Sequence, residues 1–160
     1  MKKLKWIVVG MLLFMGVIFP ITAFAEFQNE PDGFRDLKWG TRFATVSSQM
    51  NFLQTLPNNE KIYERVGDDL HIEKAKLTHI HYIFWRNKLA IVDIGVEHDS
   101  RFELRRALFE QHGRVAKYKE CYLWGGDNSV VAYQWENDRV LIYSRFLWEQ
   151  IQQTNRLNSF

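Results

Sequence analysis

Cysteine is almost missing from this chain. Cys121 is the only one, so no internal disulfide can form and stability has to come from packing. No cysteine follows the N-terminal apolar run, which excludes a lipid attached to a mature N-terminal thiol. Low-complexity sequence is absent, and no matching residues support an internal repeat. A basic excess is missing as well once the N-terminus is set apart. Three of the 21 basic residues (Lys2, Lys3, Lys5) precede residue 26, leaving 18 against 19 acidic ones, or about −1. A chain so balanced has no basic surface with which to neutralise phosphates, so nucleic acid is excluded as a partner. No catalytic signature is present either.

What is there begins with an export signal. Lys2, Lys3 and Lys5 run into the unbroken apolar stretch 6–19, then Pro20, then Ala23-Phe24-Ala25 before Glu26. Charged segment, apolar segment, helix breaker and small residues in Ala-x-Ala spacing are what a cleavable leader requires. The competing reading is a retained anchor, because 6–25 is long enough to cross a bilayer core of about 30 Å. Pro20 and the Ala-x-Ala site favour cleavage after Ala25. The sequence thus predicts a signal peptide over 1–25, a periplasmic or secreted location, and no membrane span after cleavage.

Residues 26–160 are of single-domain size. A polar linker or short arm is expected at 26–33, one domain over 34–154, and a tail at 155–160. A short extended segment covers 34–39. Phe43, Val46, Met50 and Leu53 repeat at helical spacing behind Thr41, which predicts a first helix over about 42–55. Short strands at 62–66 and 70–77 flank Gly67-Asp68-Asp69, and a strong hairpin joins 78–85 to 89–97. Ser100 and Glu103 form a capping-box pattern ahead of a helix over 101–112, with Phe102, Leu104, Leu108 and Phe109 as its apolar face and Gly113 as its stop. Strands at 115–124, 129–135 and 139–144 follow, then a short helix from 146 to about 154. Runs of strands with few helices between them predict the α+β class: an antiparallel sheet of about six to eight strands with two main helices and a short C-terminal one, the helices on one face.

The string Gly33-Phe34-Arg35-Asp36-Leu37-Lys38-Trp39-Gly40-Thr41, with Tyr63-Glu64-Arg65, Asp68-Asp69-Leu70, Tyr122-Leu123-Trp124-Gly125 and Ile142-Tyr143-Ser144, resembles small exported bacterial proteins of unknown function that carry a Gly-Phe-x-x-x-x-Trp-Gly-Thr opening. The resemblance implies an exported single domain and no particular chemistry. In layout, a helix followed by antiparallel strands is also similar to outer-membrane assembly lipoproteins, whose lipidated cysteine this chain lacks.

One constellation carries chemistry. The hairpin register that keeps faces consistent has a three-residue loop, 86–88, and sets Ile80, Tyr82 and Phe84 against Ile94, Val92 and Ala90, with His81 across from Asp93. A two-residue loop at 87–88 would mix polar and apolar partners. On the polar face His79, His81 and Asp93 then converge, a donor set suited to zinc or a similar divalent cation with a fourth position open to water. The plain alternative is a hydrogen bond between His81 and Asp93 on a half-solvated face.

Other candidates read as structural. Cys121 is a partly buried thiol with no histidine named beside it. Asp68-Asp69 and Gly125-Gly126 are turn residues, and His112 sits where a helix dipole favours a cation. His71 and His98 have no specific role. Trp85, Tyr133, Trp135 and Tyr143 recur on neighbouring strands, with core packing favoured over an outward recognition face. The expected function is a non-catalytic, exported binding or accessory protein for another envelope protein or peptide, needing no cofactor. The alternative is a small metal-binding protein or metal-dependent hydrolase using His79, His81 and Asp93.

Overall fold

The β-branched and aromatic run from residue 75 onward builds the centre of the molecule as a long antiparallel hairpin. The computed structural model describes residues 27–157 apart from 57 and 116, so the expected leader and the last three residues of the expected tail lie outside the described residues. In chain order the strands are β1 (Gly33–Phe34), β2 (Leu37–Lys38), β3 (Met50–Thr55), β4 (Lys61–Arg65), β5 (His71–Ile72), β6 (Ala75–Trp85), β7 (Lys88–Val96), β8 (Lys117–Tyr118), β9 (Cys121–Gly125), β10 (Ser129–Gln134) and β11 (Arg139–Ser144). The helices are α1 (Phe43–Val46), α2 (Arg101–His112) and α3 (Arg145–Leu157). β1 and β2 form a small hairpin of their own. The main sheet runs β3-β4-β6-β7-β11-β10-β9-β8, with β5 paired to β6, and every pairing is antiparallel. This is the expected α+β single domain.

Helices cover both faces of that sheet, not one. Tyr82, Val92, Trp124, Val131, Tyr133 and Ile142 pack with Leu104 and Leu108 of α2. Their strand neighbours Ile83, Ile91, Leu123, Ala132, Leu141 and Tyr143 pack with Leu147 and Ile151 of α3. Successive strand residues point to opposite faces, so these are two cores on the two sides of one sheet. The physical reason is visible in β7 and β11, whose apolar runs are buried throughout. A strand covered on both sides does not alternate.

Other boundaries differ from expectation: the extended segment expected over 34–39 is the β1–β2 hairpin, with Arg35 at φ 55°, and the strand expected over 70–77 turns at Glu73 (φ 51°) into β5 and the start of β6. The helix expected over 42–55 stops after one turn and a 3₁₀ turn (Ser47–Gln49), and the rest becomes β3, paired with β4. Met50 and Leu53 share a face in a helix but diverge in a strand; here Met50 joins one core and Leu53 the other. The expected strand 115–124 is a tight hairpin, β8 and β9, turning at Lys119 with φ 48°. Ser100 makes no capping bond, because a 3₁₀ turn (His98–Ser100) leads directly into α2, and Phe102 stands 59% exposed instead of lining the core. The last helix runs to Leu157, taking in part of the expected tail.

The β6–β7 turn also differs in detail. Arg86 and Asn87 both have positive φ (48° and 60°), the two-residue hairpin geometry, and a bulge between Ile83 and Phe84 absorbs the extra residue. Phe84 therefore faces Leu89, not Ala90, while Ile80↔Ile94, His81↔Asp93 and Tyr82↔Val92 pair as expected.

The segment before Gly33 is a packed arm and not a free linker. Gln28 N–H donates to the His112 carbonyl (3.2 Å), and the Glu30 carboxylate accepts from the backbone N–H groups of Asn128 (2.5 Å) and Ser129 (2.7 Å).

Candidate functional sites

The opening string turns out to be a lock between the β1–β2 hairpin and the sheet. Arg35 pairs with Asp68 and Asp36 with Arg65, while Trp39 Nε1 donates to Ser129 Oγ at 2.7 Å. The Tyr82 hydroxyl donates to Asp68 at 2.7 Å, so Asp68 is a turn residue that also anchors the hairpin. Its neighbour Asp69 approaches His71 Nδ1 at 2.9 Å. Gly126 leaves room for the Glu30 carboxylate, which a Cβ would displace, and its N–H donates to the Ser129 carbonyl across the expected turn.

The structure brings His79, His81 and Asp93 together, their ligand atoms all within 4.8 Å of one another. His79 and His81 lie two apart on β6 with stacked rings, centroids 4.2 Å apart. His79 Nε2 and His81 Nδ1 each stand 3.7 Å from Asp93 Oδ2, and both are buried with no hydrogen-bond partner. The far nitrogens are engaged: His79 Nδ1 with Thr78 Oγ1 at 3.1 Å, His81 Nε2 with Glu64 Oε1 at 3.4 Å. Opposite His79 is Gly95, and a Cβ there would collide with the His79 ring. Glycine is what lets the imidazole lie flat on the sheet.

Sequence reasoning missed Arg139. Its guanidinium grips Asp93 with two bonds, Nε to Oδ1 and Nη2 to Oδ2, the latter 2.8 Å. Burial alone would push the fully buried Asp93 carboxyl up, but His79, His81 and Arg139 outweigh it and hold the group far below the usual carboxylate range. No local signal marks Arg139, which follows a turn and reads as a surface cation; only the β7–β11 pairing places it.

The remaining sequence candidates resolve as follows. Cys121 is buried, and burial with the nearby Glu120 raises its thiol pKa, the opposite of an activated nucleophile. His112 is 3% exposed against Phe27, and burial lowers its pKa, so it is a neutral packing residue and not a dipole-favoured cation. His98 meets Asp138 at 2.7 Å. Trp85, Tyr133 and Tyr143 are buried, as the core reading expected, and Trp135 is partly buried.

Clefts lie elsewhere among the described residues. One, of about 240 Å³, is lined by Arg101, Phe102, Arg105, Tyr133 and Trp135. Another, about 430 Å³, is lined by Arg42, Phe43, Ala44, Arg86, Asn87 and Lys88. In the first, the Arg101 and Arg105 guanidiniums lie 5.1 and 5.2 Å from the exposed Phe102 ring, and Lys117 Nζ lies 4.5 Å from the Trp135 ring. Among the described residues neither Arg101 nor Arg105 forms an ion pair, whereas Arg106 on the same helix pairs with Glu103 at 2.5 Å. Asp138 meets His98 instead.

No known protein family, curated protein or solved structure matches this chain. No helix among the described residues is long and apolar enough to cross a membrane.

Proposed function

We propose that the protein is an exported, non-catalytic binding protein that docks an acidic segment of another envelope protein or peptide in the cleft between α2 and the end of β10. The observation that carries this reading is the pair of unpaired arginines, Arg101 and Arg105, set beside the aromatic rings of Phe102, Tyr133 and Trp135. Guanidinium forks match carboxylates in a bidentate manner, and aromatic neighbours restrict the long side chains before a ligand arrives. In a mature chain with a net charge near −1, three cations around one cleft (Lys117 being the third) are a local concentration that favours an acidic partner. The positive end of the α2 dipole adds to it.

The test is titration of the purified protein with a fluorescent octapeptide of alternating glutamate and phenylalanine, beside a lysine-phenylalanine control. Binding of the acidic peptide alone, weakened at least tenfold in the R101Q/R105Q double variant and by added salt, is the expected result. Equal binding of both peptides, or an acidic-peptide affinity indifferent to the double variant, would overturn the reading. Hydrolysis of the peptide by the purified protein would overturn the non-catalytic part of it.

A further inference from the structure

Away from that cleft, we propose that His79, His81 and Asp93 form a binding site for a divalent transition cation of the zinc class. The inference stands on two buried ring nitrogens, His79 Nε2 and His81 Nδ1, that have no hydrogen-bond partner and flank one oxygen of Asp93. Without a cation the protons that these two nitrogens carry face Asp93, and binding a metal displaces them. The other two ring nitrogens are engaged, His81 Nε2 with the Glu64 carboxylate and His79 Nδ1 with Thr78 Oγ1, which leaves His81 Nδ1 and His79 Nε2 as the ligand atoms. Both are buried, both lack a partner, and both converge on one oxygen of Asp93. Outer partners that orient each histidine are what metal centres use to fix ring and tautomer.

The distances suit the ion. Zinc bonds of about 2.0–2.1 Å in tetrahedral geometry place donors roughly 3.3 Å apart, so the 3.7 Å from each nitrogen to Asp93 Oδ2 closes slightly and the two stacked rings turn toward the ion as it binds. Gly95 gives the His79 ring its place. Arg139 is the one feature that opposes a cation. Its charge is outnumbered by the carboxylates of Asp93 and Glu64, and each carboxylate oxygen has two lone pairs, so Oδ2 can hold Arg139 Nη2 and a metal together. The guanidinium also fixes the carboxylate in place. Two imidazole nitrogens and one carboxylate select zinc, copper or nickel over magnesium and calcium, which prefer oxygen alone.

The experiment is calorimetric titration of untagged, chelator-treated protein with zinc chloride, and separately with magnesium chloride. One equivalent of zinc bound below micromolar, with no heat from magnesium, is expected. H81A should lose at least a hundredfold in affinity, and E64Q between about tenfold and a hundredfold, since it keeps all three donors and disturbs only the orienting partner. H79A, at a more exposed position, serves if H81A does not fold by circular dichroism. G95A tests the same point from the opposite strand by displacing the His79 ring. Zinc binding absent, or stoichiometric and unchanged in H81A and H79A, would overturn the site. The peptide titration uses other residues, so the two results stand apart.

Discussion

At the scale of single residues, Glu60 carries the clearest thermodynamic signature. It is fully buried, and neither carboxylate oxygen has a hydrogen-bond partner. Burial pushes its pKa up to about 7, only partly offset by the nearby Asn58 side chain. A folded-state value above the unfolded one means the folded state binds the extra proton. The Glu60 contribution to stability is then greatest below about pH 4.5, where both states are protonated, and is lost as pH rises to about 7. The shift corresponds to about 3 kcal/mol at most. Urea melts at pH 5 and pH 8 check this: wild type should lose stability between them, and E60Q should lose much less and be the more stable protein at pH 8. A wild type as stable at pH 8 as at pH 5 would show that the carboxylate finds a partner in solution.

At the scale of elements, the β1–β2 hairpin explains why its sequence reads as a motif. Gly33 lies so close to the Leu37 carbonyl that a Cβ cannot fit, and the obstructing atom is backbone, which has little freedom to move. Leu37 enters the core, Arg35 and Asp36 reach Asp68 and Arg65, and Gly40 has φ 78°. G33A should therefore destabilise the fold by about 1–3 kcal/mol, the range of an overpacked site, and a shift in the thermal midpoint reads it. A neutral G33A would mean the hairpin is not locked. The same scale shows what local pattern could convey. The β6–β7 register was legible because strands joined by a tight turn keep their faces in step, so His81 opposite Asp93 followed from the residues themselves. The end of the first helix was not, since Met50 to Thr55 satisfies a helical period and a strand equally and pairing with β4 decides it.

At the scale of the whole molecule, α3 is the lid of the second core. Its Leu147 and Ile151 are buried against Ile91, Leu141 and Tyr143, residues from strands that are central to the sheet. I151A should cost about 2–5 kcal/mol, measured by chemical denaturation. I151D should prevent stable folding, because an unpaired carboxylate would sit on an apolar sheet face. A folded, cooperative I151D would show that α3 does not cover that face.

The residues by themselves determined the class of fold, the central hairpin and the meeting of two histidines with a carboxylate. All of these depend on periodicity and on neighbours a few positions apart, where chain connectivity leaves few alternatives. Tertiary structure alone decided that β11 lies beside β7, bringing Arg139 to Asp93 from 46 residues away. It also decided that α2 and α3 take opposite faces and that Arg101 and Arg105 border an aromatic cleft. Those outcomes follow from which long-range pairing buries apolar surface while matching the buried charges of Asp93 and Arg139, a balance over the whole chain that no local window contains.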